Sequence, residues 1–398
     1  MADTDDYFDD PESDPTQENE DDLEPASLSD VANAVVTATD WTTETLLRQL
    51  RRGNIDLNPR FQRRDAWTRP RKSLFIESII LGLPIPQVVL AEQPDQKGTF
   101  LVIDGKQRLL TLLQFAAGED SEFDALSISG LEIRRDLNGL TYSDFQDDGH
   151  ERDLTAFDNQ TIRTVIVRNW KDEDLLFRIF LRLNTNSVPL SPQELRQALH
   201  PGPFVDFLDD ASSQSRSIQR VLGIDHPDFR MRDVELLLRY FAFTYFLPDY
   251  RGNLKKFLDD ACDHLNERWD DESAGFEKSA EGCDRAIETT YAVFADDAFR
   301  RWSGERYERR FNRAVFDAMV FFFEDEEVAD RAIERAERIR NAFERLCDRD
   351  EEFDLSLQTT TKTLAAVTHR LSAWGRALSR VVDVKLKTPV LRDNRIRY

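Results

Sequence analysis

Apolar residues recur at helical spacing over residues 42–52, where Leu46, Leu47 and Leu50 share one face and Gly53 marks the stop. A second helical stretch, 69–81, ends at Gly82 and the sequence LPIP. The period then changes. Residues 88–91 and 99–103 are short apolar runs joined by the turn-forming segment 94–98, which predicts a β-hairpin. Alternating or β-branched character predicts further strands over 126–133 and Thr161–Arg168. Residues 172–183 read as helix. Ser191-Pro192-Gln193-Glu194 reads as a helix start, with Ser191 as N-cap, Pro192 in the first turn and Glu194 closing a capping box. Beyond about residue 200 the helical period dominates, over Arg232–Phe246, 254–269, 276–294, 305–323 and 328–346. The final VVDVKLKTPVLRDNRIRY reads either as a strand pair or as a basic tail. No fixed internal repeat is present. The pattern predicts a mixed α and β domain over 39–200 and a mostly α-helical domain over 201–398.

Charge adds a third segment. The formal net charge is −23, and residues 1–47 hold 15 acidic residues with no Lys or Arg, which leaves −8 for the remaining 351. Residues 1–38 therefore read as a disordered acidic tail. They lack the basic start and apolar core of a secretory signal. No run of 18 apolar residues exists, so no transmembrane helix is expected.

Arginine (43) far exceeds lysine (10), and Asp and Glu total 76, a halophile-like balance. An acidic mesophile protein with a charged tail is the plainer alternative. High salt weakens binding that depends on counterion release, so the acidic total does not exclude a nucleic-acid partner. The three cysteines are widely spaced and the five histidines isolated, which argues against a disulfide framework or a zinc knot. A reduced, cytoplasmic protein is expected.

The candidate chemistry lies in FLVIDGKQRLLTLLQF, residues 100–115. An apolar strand turns through Asp104-Gly105 into a helix whose first turn carries Lys106, Gln107 and Arg108. A helix N-terminus offers unpaired N–H groups and a positive dipole end, which suits an anion. Lys106 and Arg108 add positive charge, and Arg can grip a phosphate through two hydrogen bonds. This points to a phosphate, as of a nucleotide. It is not a Walker A loop, because no glycine lies five residues before Gly105.

Two further segments carry a resemblance. NPRFQRRDAW, at 58–67, precedes the helix that exits through SLFIESIILGLPIP, at 73–86. FLRLNTNSVPLSPQELRQAL occupies 180–199. Gln62, Arg63 and Trp67, the LPIP exit, Asp104-Gly105-Lys106-Gln107-Arg108, and Phe180, Asn184, Leu190, Glu194 and Arg196 stand in the order of a known pattern. The chain resembles the N-terminal domains of GmrSD-type modification-dependent restriction endonucleases. The family commonly has glutamine where Lys106 stands.

The resemblance implies an α+β domain of ParB/sulfiredoxin-like type, here followed by a mostly α-helical domain. It implies binding and turnover of an NTP, base unspecified, with Mg²⁺, in restriction of foreign DNA. The implied nucleotide contacts are Gln62, Arg63, Gly105, Lys106, Gln107, Arg108 and Asn184. Asp104 and Arg108 are the candidate catalytic residues, with Asp104 also a candidate metal ligand. DNA is the expected partner, and a separate nuclease or methyltransferase subunit would supply cleavage or modification.

Each site residue has a plainer reading. Arg63 could form an ordinary surface ion pair. Asp104 could cap the helix that begins at Lys106, a role that competes with metal binding. Asn184 suits a turn. Residues 299–313, FRRWSGERYERRFNR, could contact a DNA backbone through six arginines and interleaved rings, or form an amphipathic helix with its aromatics inward. No HNH-type histidine cluster is present, and the D-x-K matches at Asp95 and Asp383 lack a paired upstream acid. A non-catalytic nucleotide-sensing or DNA-binding scaffold is the alternative function.

Overall fold

The computed structural model describes residues 34–55, 57, 64–118, 121–147, 149–170, 173–183, 191–359 and 361–398. Most of the expected acidic tail, residues 1–33, lies outside them. The described residues fall into two compact units that divide between Leu199 and His200.

The first unit is built on a four-stranded sheet of order β1-β4-β2-β3. β1 is Val35–Thr42, β2 Val88–Glu92, β3 Phe100–Asp104 and β4 Thr161–Arg168. β1 runs antiparallel to β4, β4 parallel to β2, and β2 antiparallel to β3. Every residue of β4 from Thr161 to Arg168 pairs with β1, and Thr164–Val167 also pair with β2. β4 is thus an interior strand, and its β-branched sequence TIRTVIVR suits that position. The β2–β3 pair is the hairpin expected from the sequence. β1 was not expected, and its first four residues fall within the segment read as tail. It is an edge strand with Val35 and Val36 exposed, so its burial pattern is weak.

Helices α1 (Thr43–Arg51), α2 (Arg69–Ile80), α3 (Lys106–Phe115) and α4 (Glu151–Asn159) supply the apolar faces of the unit's core. Leu46, Leu47 and Leu50 of α1, Ile76 and Ile79 of α2, and Leu109, Leu112 and Phe115 of α3 meet Val88, Leu90, Val102, Ile162 and Ile166 there. α5 (Glu173–Leu183) and α6 (Pro192–Leu199) complete the unit, and both pack on β3.

Residues 126–133, expected to be a strand, are irregular. Ile128 and its neighbours bond locally, to Leu140 and Gly139. The buried Glu77 carboxylate accepts from the backbone N–H groups of Glu132, Ile133 and Arg134 at 3.3, 2.9 and 2.6 Å. A side chain of α2 therefore meets donors that a strand partner would otherwise take.

The second unit is mostly helical. α7 (Pro203–Gln214), α8 (Arg216–Leu222), α9 (Arg232–Phe246), α10 (Leu254–Glu267) and α11 (Trp269–Phe294) precede α12 (Arg313–Phe323), α13 (Glu326–Glu334), α14 (Ala336–Arg349), α15 (Glu351–Gln358) and α16 (Leu364–Val382). The closing segment is a strand pair, β5 (Val390–Arg392) and β6 (Arg395–Arg397), turning at Asp393 and Asn394, both with positive φ.

The helix expected over 305–323 begins only at Arg313, capped by Asn312, whose side chain accepts from the Val315 N–H. Upstream, Tyr307 forms an antiparallel bridge with Trp302, and Asn312 takes an extended backbone at φ −121° and ψ 109°. The single helix expected over 328–346 is divided between α13 and α14. No described helix is long and apolar enough to cross a membrane.

Candidate functional site

The strand-to-helix turn forms because Gly105 takes φ +102°, a left-handed conformation that costs other residues. A Cβ there would stand 3.0 Å from a Val88 methyl and 3.3 Å from an Arg108 guanidinium nitrogen. Gly105 is the N-cap of α3, and no side chain caps the helix. The expected capping role of Asp104 is therefore not observed.

Asp104 instead accepts from the Arg108 guanidinium at 3.0 Å. The same nitrogen also donates to the Gln87 carbonyl at 2.8 Å. Arg108 so ties the end of β3 to the residue that precedes β2. The Arg108 Nε is buried without a hydrogen-bond partner, and so is Gln107 Oε1.

Lys106 is buried, and its Nζ lies 2.6 Å from Glu194 Oε1, each side chain being 5% exposed. The extra charge that Lys106 brings is thus met by a carboxylate within the unit. Glu194 serves a second purpose. Its Oε2 accepts from the Ser191 N–H at 2.7 Å while Ser191 Oγ accepts from the Glu194 N–H at 3.1 Å, the reciprocal capping box expected from the sequence. The first turns of α3 and α6 are clamped together by this one acid.

Other buried polar groups surround the clamp. Gln193 and Gln197 of α6 are buried. Gln193 Oε1 accepts from Arg196 at 2.7 Å, whereas Gln193 Nε2 and both amide atoms of Gln197 have no partner. A native interior leaves few such atoms unsatisfied. Sequence reading missed both glutamines. Their signal was a Q-x-x-x-Q spacing on a short capped helix.

Gln62, Arg63 and Asn184 lie outside the described residues. The block that follows Arg63 is anchored on α2 and on the last turn of α3, at the opposite end of that helix from the turn. Asp65 accepts from Lys72 of α2 and from Gln114 of α3, the latter at 3.2 Å. Trp67 packs edge-on against Phe75 at 5.4 Å, with the Arg71 guanidinium 4.9 Å from its ring.

The arginine-rich stretch 299–313 is not an amphipathic helix; part of it meets acids of the second unit, while Arg306, Arg309 and Arg310 are exposed. Arg301 pairs with Asp354 and Glu308, and Arg313 with Glu235. Trp302 Nε1 donates to Asp348 and the Tyr307 hydroxyl to Glu344. Among the described residues, no group of three or more His, Cys, Asp or Glu could hold a metal ion.

Residues 43–201 match the family model of the GmrSD restriction endonuclease, N-terminal domain. No curated protein and no solved structure matches the chain. The match contains the β3–α3 turn, the Glu194 clamp and both buried glutamines, and it begins immediately after β1. Residues 43–201 thus carry a domain that matches the GmrSD restriction endonuclease, N-terminal domain.

Proposed function

We propose that this domain binds a nucleoside triphosphate at the β3–α3 turn, and that the protein acts in restriction of, or defence against, foreign DNA. The family match supports the biological role. The observation that carries the site is the set of buried polar atoms without partners on α3 and α6, namely Gln107 Oε1, Arg108 Nε, Gln193 Nε2 and the Gln197 amide. A ligand rich in oxygen and nitrogen would satisfy them. The uncapped N-terminus of α3 and the glycine that opens it allow a phosphate to approach the backbone. The Arg108 Nε–H is a charged donor available to that phosphate without breaking its bond to Gln87.

The described donor set does not fit a Mg²⁺ ion held by the protein alone. Asp104 already faces Arg108, and no carboxylate group surrounds it among the described residues. No step is therefore assigned to the ion. The same pairing favours a second reading, in which the domain senses a nucleotide without hydrolysing it, because Asp104 is engaged as a counter-ion rather than poised as a base. In either reading DNA is the partner, and a separate nuclease or methyltransferase subunit supplies the chemistry on it.

The test uses the purified full chain in high KCl with ATP, GTP, CTP and UTP, with and without Mg²⁺ and DNA. Binding is read by calorimetry and turnover by phosphate release. Binding that falls about 10- to 100-fold in Arg108→Ala supports the site. Phosphate release decides between the two readings. Failure of every NTP to bind the folded wild-type chain would remove the proposal.

A further inference from the structure

The amides of α6 point to how such a ligand would be read. Gln193 is 2% exposed and Gln197 6% exposed, yet Gln193 keeps a donor and Gln197 both a donor and an acceptor without partners. Their spacing of four places them on one face of α6, and Gln197 lies one helical turn from Glu194. Glu194 in turn holds Lys106, the residue beside Gln107 and Arg108. The unsatisfied amides therefore sit on the helix that is fastened to the start of α3, not on a distant surface.

A primary amide presents an acceptor and a donor side by side. A nucleobase edge presents the complementary pair, and Gln is one of the side chains that reads such an edge through two hydrogen bonds. A phosphate group offers acceptors only and would leave the Gln197 oxygen unsatisfied. We propose that Gln197 is the specificity-determining residue for the base of the nucleotide, with Gln193 donating a further bond to the same ligand. This rests on the nucleotide reading above. It adds that the α6 side of the site recognises the base and the α3 side the phosphates.

The experiment separates the two sides with a ligand that has no base. Tripolyphosphate and the four NTPs are titrated into wild type, Gln197→Leu and Gln197→Glu, each checked for folding by circular dichroism and thermal melting. The wild-type chain is expected to bind its preferred NTP more tightly than tripolyphosphate. Gln197→Leu is expected to lose about 10- to 100-fold in affinity for that NTP, with tripolyphosphate unchanged. Gln197→Glu, close in shape but without the donor, is expected to alter the order of preference among the four NTPs.

An equal loss for NTP and tripolyphosphate in both variants would show a merely structural glutamine. Unchanged binding of both ligands would show that water satisfies the amide. Either result overturns this inference and leaves the nucleotide site standing. Should the leucine variant not fold, the glutamate variant decides by the same comparison. If neither tripolyphosphate nor any NTP binds the wild-type chain, the nucleotide reading falls and this inference with it.

Discussion

Breaking the Lys106–Glu194 pair should destabilise the first unit far more than removing it whole. Both side chains are 5% exposed and their atoms meet at 2.6 Å. Lys106→Met leaves the Glu194 carboxylate buried with only the Ser191 N–H as a known donor, and an orphaned buried charge costs about 3–5 kcal/mol. Glu194→Leu removes the carboxylate 2.6 Å from the buried ammonium and also the capping-box acceptor of α6, the latter costing about 1 kcal/mol. In a unit of this size each kcal/mol moves the melting temperature by about 2–4 °C, so either single variant should melt roughly 10 °C lower.

The double variant replaces the pair with apolar volume. Such replacements are often neutral or stabilising, so its cost should be close to the lost cap, about 1 kcal/mol. The assay is a double-mutant cycle by urea unfolding at fixed KCl, followed by a probe in the first unit. These figures imply a coupling energy of about 5 kcal/mol or more. Additive single effects would refute the reasoning and mean that the two groups are solvated or separately compensated.

Three further outcomes are expected. Gly105→Ala forces a left-handed non-glycine residue and sets a methyl against Val88 and Arg108. It should cost at least about 1–2 kcal/mol in urea unfolding and reduce NTP affinity together with stability; a neutral result would mean that the turn relaxes. The Arg134 guanidinium, hydrogen-bonded to Asp153 and Asp136, holds both carboxyls below the usual range. Carboxyls depressed on folding stabilise above their unfolded value near ~3.9 and lose that contribution as pH falls through the lower folded value, so wild type and Arg134→Gln should converge in stability below about pH 4; a gap independent of pH would refute the pairing. Deleting residues 1–38 removes four of the eight β1–β4 pairs and should give a lower melting temperature than deleting 1–33; equal melting of the two truncations would deny β1 a structural role.

The sequence made the β3–α3 turn legible because three signals coincide there. An apolar run ends, a glycine follows, and helical spacing begins at once. The capping box at Ser191 and Glu194 was legible for the same reason, being written within four residues. What was hidden is non-local. Glu194 is 88 positions from Lys106, and no period links them. β1 was hidden because VVTATDWT sits at a sheet edge with its valines exposed, which leaves no clean alternation. Residues 126–133 misled because their alternation is real, but Glu77 and a local loop satisfy the backbone instead of a neighbouring strand. Residues 305–312 misled because Tyr307 reaches Glu344 and Phe311 packs on Phe299 and Phe316 without any helix to place them.

The order of the sheet also governs how the first unit comes together in time. β4 joins β1 to β2, yet it is the last of the four strands in the chain. The β1–β4 ladder runs from Val35 paired with Arg168 to Thr42 paired with Thr161, and side-chain bonds beside it span 117 and 131 positions. A ribosome adding about 5–20 residues per second therefore takes several seconds, after β1 is made, to produce the strand that completes the sheet. Until then β1 has no partner, and the β2 edge of the β2–β3 hairpin is left open. Closing so long a loop is slow, and an open edge invites pairing with other chains. Assembly of this domain should therefore wait for β4 and be chaperone-sensitive, with intermolecular strand pairing through β1 as its characteristic error.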